Sequence, residues 1–524
     1  MHESETGHPM RTTCCPCGGH GHSTDGISRR GFLQGVSGAT AIGTALSGLS
    51  WTAVSAAAES GDRAGPVRRA LVVRPILTYA TPKPRPQTSW RSWGGIQTTS
   101  DAEQELARIQ RELNALKRRA DFPVEFLKPV GVRNSEELAR IQDIEKADVC
   151  MVYAAGAGMG LFDEIAKRNK NIIFFCRHKS GPVYLWYEII SPRYLRQHTD
   201  ALKVRHVDDG DVVVDNQDEI LWRLRAMCGL QNTLGTRIVA VGGPGAWAQP
   251  RDVVPNKVRD TWKFDIQTLS YPDLAKLIKA AWADKAAMKK ARDRATAYLK
   301  DVGVTLETKR EFVDNAFLLD QVFRGVLKEA DCQAFTINQC MGTIMPMSQT
   351  TACLTLSLLN DSRYVAFCES DFVVIPSGVL MSNISGNPVF LNDPTYPHDG
   401  IITLAHCTAP RRMNGKDLEP ARIMTHFESD YGAAPKVEMS KGQVITNILP
   451  DFDLKRWVGV RAKIIDAPFM AVCRSQIDVR FTCDSQRLAE RMPGFHWMTG
   501  YGDCRKEIGY ACKKVGIEWE DLTA

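Results

Sequence analysis

The chain has 524 residues, with 66 Lys and Arg against 60 Asp and Glu, a formal charge of +6. Its 44% hydrophobic and 24% charged residues are the balance of a folded protein and exclude disorder, collagen and coiled coil. The length predicts about three domains. So weak a charge, with no Lys/Arg block, argues against nucleic acid as a partner.

In chain order, the first element is a leader. Ser28-Arg29-Arg30-Gly31-Phe32-Leu33-Gln34 reads as a twin-arginine export signal, followed by an uncharged stretch from Gly35 to Ala58 ending in Ala56-Ala57-Ala58. Residues 1–58 are therefore expected to lie outside the fold and to direct the chain to the periplasm or another extracytoplasmic space. The stretch is too rich in Gly, Ala, Ser and Thr for a stable membrane span, and no other run approaches the ~20 apolar residues a span needs. Cys14-Cys15-Pro16-Cys17 with His20 and His22 has the composition of a metal tract, but it precedes the arginines and goes with the leader. Several of the remaining cysteines, Cys150, Cys176 and Cys368 among them, sit inside apolar runs and read as buried thiols.

From Arg69 onward, strands alternate with amphipathic helices. Strands are predicted at 70–74, 124–130, 149–153 and 172–176, with helices at 101–119, 135–144 and 161–169. The pattern restarts near Thr236 with strands at 237–241, 264–270, 334–338, 364–368 and 388–391, and long helical stretches at 271–302 and 307–328. Such alternation predicts an α/β fold with two doubly wound, mostly parallel sheets, over 66–233 and 234–395. Beyond His406, strands follow one another without helices, predicting a small β-rich, barrel-like domain over 396–524, closed by a helix at 504–515.

Two features carry chemistry. Gly243-Pro244-Gly245-Ala246-Trp247-Ala248 satisfies a permissive dinucleotide pattern, but Pro250 and Pro255 spoil the helix that should receive a pyrophosphate, so a plain turn is the simpler reading. Glu369 follows the strand at 364–368 and Asp393 follows the one at 388–391. A crossover helix between them predicts both carboxylates at the carboxyl ends of neighbouring parallel strands, where open α/β sheets bind ligands. Four of the seven histidines beyond the leader, His398, His406, His426 and His496, come after Asp393, and His496 is presented by a Pro-Gly turn between Phe495 and Trp497.

Cys368-Glu369-Ser370-Asp371, Ser385 through Asp393, and His496-Trp497-Met498 through Glu507 resemble the L-fucose isomerase and L-arabinose isomerase family; so does the early loop Pro86 through Gly95. The resemblance spans nearly the whole chain beyond the leader. It implies two Rossmann-like domains, a C-terminal β-domain, and a divalent metal, Mn²⁺ or another hard cation, held by Glu369, Asp393 and His496, with His406 or His426 as a further ligand or pocket residue. It also implies a homo-oligomer and a free monosaccharide as substrate. Glu369 and Asp393 become the catalytic carboxylates of an aldose–ketose isomerisation through an ene-diol, and Trp90 and Trp93 become candidates for stacking on the sugar. The family's members are cytoplasmic, and the export signal departs from that pattern. A sugar-binding protein without turnover, or a nicotinamide-dependent oxidoreductase using Gly243–Ala248, are the alternatives.

Overall fold

The computed structural model describes residues 44–59, 65–169, 171–247, 249–250 and 252–523; the twin-arginine motif and the Cys14–His22 tract lie outside them. The described chain is a mixed α/β protein in two compact units. The first comprises Arg68–Thr233 and Lys506–Gly516; the second comprises the described residues up to Val67, Leu234–Arg505 and Ile517 onward.

In the first unit, β-branched and aromatic runs form a parallel sheet in the order Val124–Phe126, Leu71–Thr78, Val149–Ala154, Ile172–Cys176, Val212–Val214, with Val130–Val132 also pairing with Leu71–Thr78. Val149–Ala154 and Ile172–Cys176 are buried at every position, as expected of strands covered on both faces. The helix Thr99–Arg119 begins at a capping box on Thr98 and Asp101 and buries Ala102, Ile109, Leu113 and Leu116. The predicted helix at 504–515 is present as Arg505–Lys514, but most of it belongs to this unit and does not close the β-domain. Tyr510 donates to Asp211 at 2.6 Å and Arg225 pairs with Glu507 at 2.9 Å, partners 282 residues or more away in sequence that local periodicity does not reveal.

The second unit contains another parallel sheet, in the order Thr44–Ala45, Asp265–Leu269, Arg237–Val241, Ala334–Ile337, Val365–Phe367. Its edge strand lies in the segment assigned to the leader. The helix Trp51–Glu59 then packs on the helix Arg310–Glu329, Val54 is fully buried, and the Trp51 indole donates to Asp284 at 3.0 Å. Residues 44–59 are thus part of the fold, contrary to the expectation for 1–58. The same small residues that make a weak membrane anchor allow close helix packing. At Gly325 a Cβ would fall 2.1 Å from the Val54 carbonyl oxygen. The stretch predicted as one helix at 271–302 is two, Tyr271–Ala283 and Lys285–Leu299, because Asp284 leaves helical geometry and caps the second.

Late in the chain, six strands close into an antiparallel barrel in the order Val444–Pro450, Trp497–Tyr501, Phe390–Pro394, Ile401–His406, Ser475–Phe481, Arg456–Asp466 and back to the first. Val304–Leu306, Ala421–His426 and Tyr431–Val437 form a separate small sheet. The strand expected at 388–391 in the parallel sheet is instead Phe390–Pro394 of the barrel, antiparallel to both neighbours. The helix before it, Ile375–Ser385, ends at left-handed Gly386, and the chain leaves for the barrel instead of returning to the sheet. A short apolar strand reads the same in either setting.

Candidate metal centre

The Ile375–Ser385 helix joins the two layers that build the site. At Gly378 a Cβ would lie 2.6 Å from Met498 and 2.7 Å from Phe367, so only glycine lets the helix fit between the last strand of the parallel sheet and the barrel strand Trp497–Tyr501. This packing fixes Glu369, just past Val365–Phe367, against His496, just before Trp497–Tyr501. The barrel supplies the rest: Asp393 within Phe390–Pro394 and His406 at the end of Ile401–His406.

Glu369 and Ser370 both adopt left-handed backbone, φ 65° and 51°, a conformation that costs a non-glycine residue about 1–2 kcal/mol. The turn is held by the glycine loop. Ser370 Oγ donates to the Gly243 carbonyl at 3.0 Å, Gly245 N–H donates to the Ser370 carbonyl at 3.1 Å, and Phe372 N–H donates to the Gly245 carbonyl at 3.2 Å. Strain is thereby concentrated at the residue that carries the carboxylate.

His496 Nε2 lies 3.1 Å from Glu369 Oε2 and 3.3 Å from Asp393 Oδ1, and His406 Nε2 lies 3.6 Å from Glu369 Oε1. Both imidazoles are buried, and neither Nε2 makes a hydrogen bond of good geometry. Their other nitrogens are engaged: His496 Nδ1 meets Asp371 Oδ2 at 2.7 Å, and His406 Nδ1 meets Thr408 Oγ1 at 3.1 Å. Such outer contacts orient an imidazole so that Nε2 faces an ion. Glu369, His406 and His496 form a cluster whose ligand atoms all lie within 4.8 Å of one another, and it could hold a metal ion. The Glu369 and Asp393 side chains are 13% and 17% exposed.

Electrostatics express the same crowding. Burial pushes the Glu369 carboxyl up, but the facing imidazoles outweigh it and hold it well below the usual range. Burial lowers both histidines, yet Glu369 and Asp393 raise His406 to about 9, and Asp371, Glu369 and Asp393 raise His496 well above its ordinary value. Without an ion, protons on the imidazoles balance the carboxylates; a cation can take their place.

Of the residues singled out in the sequence, Glu369, His406 and His496 form the cluster, and Asp393 stands beside it, its Oδ1 3.3 Å from His496 Nε2. His426 is buried beside them, lining with Glu369 and His406 a cavity of about 10 Å³, but its side chain meets Cys407 and Ser429, not the ligand cluster. Trp90 and Trp93 belong to the first unit; the Arg91 guanidinium sits 4.9 Å over the Trp90 ring and Trp93 is 54% exposed. Asp371 and Thr408 carry roles the sequence reading did not assign. Each lies two residues from a ligand, and that spacing was the available signal. Asp371 also accepts from the Trp247 and Val373 amides at 3.2 and 3.1 Å, which locks its carboxylate toward His496. The glycine loop's Gly245 and Trp247 amides are thus committed to the Glu369 turn and do not present themselves to a pyrophosphate. No family model and no characterised protein matches the chain.

Proposed function

We propose that the chain is a metal-dependent ketol isomerase of the L-fucose and L-arabinose isomerase type, built on two Rossmann-like domains and a barrel, and acting on a free monosaccharide. The observation that carries the reading is the buried cluster of Glu369, His406 and His496, whose ligand atoms lie within 4.8 Å of one another, with Asp393 Oδ1 3.3 Å from His496 Nε2. Two oxygen-bearing and two imidazole ligands suit Mn²⁺ or another hard divalent ion. Bound there, such an ion would polarise the sugar's C1 and C2 oxygens.

The chain's own residues handle the protons. Glu369, held as a carboxylate, takes the C2 proton of an aldose as the C2–H electrons form the C1–C2 double bond, while the Asp393 carboxylate takes the O2 proton and passes it to the C1 oxygen. The resulting ene-diolate receives at C1 the proton held by Glu369 as its O2 becomes the carbonyl, which yields the ketose and returns both carboxylates to their starting states. Asp371 and Thr408 keep the imidazoles from turning away. Export by the twin-arginine route and assembly into a homo-oligomer are part of the same proposal, supported by Ser28–Gln34 and by the family resemblance.

Proton NMR of the protein with Mn²⁺ and a panel of aldoses in D₂O tests it. Deuterium at C1 or C2 with ketose appearing is the expected result. Absence of exchange on every sugar, with Mn²⁺ bound, overturns isomerase activity.

A further inference from the structure

The small cavity beside Glu369 and His406 is walled by sulfur: Cys340, Cys353, Cys368, Cys407 and Cys473 all line it. The thiols fall into two groups. Cys353, Cys473 and His426 crowd around the single sulfur of Cys407. Cys340 and Cys368 face each other, Sγ to Sγ, at 3.3 Å, both buried. Thr336 and Phe367 are in register on neighbouring parallel strands, so this pair stands where the two strands end. A disulfide needs its sulfurs about 2.05 Å apart, an approach of about 1.2 Å.

The backbone around the pair is not regular strand. Cys340 opens a short π-helical turn, Cys340–Ile344, after left-handed Gln339 (φ 52°), and Cys368 precedes the left-handed Glu369–Ser370 turn. Both thiols therefore sit on segments able to take up a shift that the flanking strands cannot. Any movement of Cys368 is passed through one peptide bond to Glu369.

We infer that Cys340 and Cys368 form a reversible oxidation site, closing to a disulfide that displaces Glu369 from His406 and His496. The oxidant is a low-molecular-weight disulfide. One cysteine attacks it, forming a mixed disulfide and releasing one small thiol. The other cysteine attacks the mixed disulfide and releases the second. Two protein thiols are oxidised, one external disulfide is reduced to two thiols, and the two thiol protons leave with them. The effect on the metal rests on the metal-centre reading; the disulfide itself does not.

The test uses the full chain treated with oxidised glutathione, alkylated under denaturing conditions, digested with trypsin and chymotrypsin, and mapped by mass spectrometry. A Cys340–Cys368 cross-link is expected, reversed by dithiothreitol and missing in Cys340→Ser. A cross-link from Cys407 to Cys353 or Cys473 in its place, or none in the unsubstituted chain, overturns the assignment. Calorimetric titration with Mn²⁺ then reads the coupling. The oxidised chain should bind at least about tenfold more weakly than the reduced one, and Cys340→Ser should be indifferent to glutathione. Equal affinity of oxidised and reduced chains overturns the displacement of Glu369. Failure of the reduced chain to bind Mn²⁺ would instead count against the metal centre, with the peptide map still deciding the cysteine pair.

Discussion

Two of the places where the described residues bury charge are built on opposite principles. In the first unit Arg177 is fully buried and gives its guanidinium to Glu105 at 2.6 Å, to Glu112 at 2.8 Å and to Ser180 Oγ at 3.0 Å, while Tyr184 donates to Glu105 at 2.7 Å. Donors there meet acceptors, and the network closes on itself. In the second unit the Nε2 atoms of His406 and His496 lie 3.1 to 3.6 Å from carboxylate oxygens of Glu369 and Asp393, and neither Nε2 makes an aligned hydrogen bond. A complementary set of buried charges holds a fold; a set of ligand atoms gathered like that of Glu369, His406 and His496 could hold a metal ion.

Substitutions can pull the two apart. The largest effect on chemistry is expected at Glu369: Glu369→Gln should lower isomerisation by roughly 10²- to 10⁴-fold with an unchanged circular dichroism spectrum, and full activity in the variant would refute its role. At the closed network the loss should be in stability. Arg177→Met removes the fully buried partner of Glu105, leaving only the half-exposed Arg108 at 3.2 Å, and should cost up to about 3–5 kcal/mol in denaturant unfolding, while Mn²⁺ affinity of the folded variant stays as it was. An Arg177 variant that kept its stability and lost metal would reverse the assignment of the two regions.

Asp371→Asn should act between these extremes. It preserves shape but weakens the hold on His496 Nδ1, and metal affinity is expected to fall roughly 10- to 100-fold; titration calorimetry with no change would show that Asp371 does not orient the ligand. The pH response of the metal-free chain is a gentler probe. His406 is raised from an ordinary 6.5 to about 9, so its contribution to stability is complete below about 6.5 and is lost as pH rises through about 9. Melting temperature without metal should therefore decline across that window, and Mn²⁺ binding should strengthen across it as the imidazoles become neutral. A melting temperature that rises over the same interval would contradict the arrangement. The smallest effect is expected at Trp93, whose exposure predicts a stability change within about 0.5 kcal/mol for Trp93→Ala.

Much of this protein is legible along the chain. Strands such as Ile172–Cys176 and Arg237–Val241 stand at their predicted positions, because buried β-branched and aromatic runs between turns have few other uses. Residue type and resemblance mark Glu369, Asp393, His406 and His496 along the chain. Three placements were not legible. Phe390–Pro394 enters the barrel instead of the parallel sheet, Arg505–Lys514 joins the first unit, and Thr44–Glu59 packs into the second.

The division has one physical reason. Period, turn chemistry and side-chain type are local, and they determine which segments become strands or helices and which residues can bind or titrate. The partner of a strand, the helix that a small-residue segment packs on, and the atom that Asp371 faces are set by which surfaces exclude water together. That selection is made between residues more than a hundred positions apart, as with Asp371 and His496, and only the folded chain expresses it.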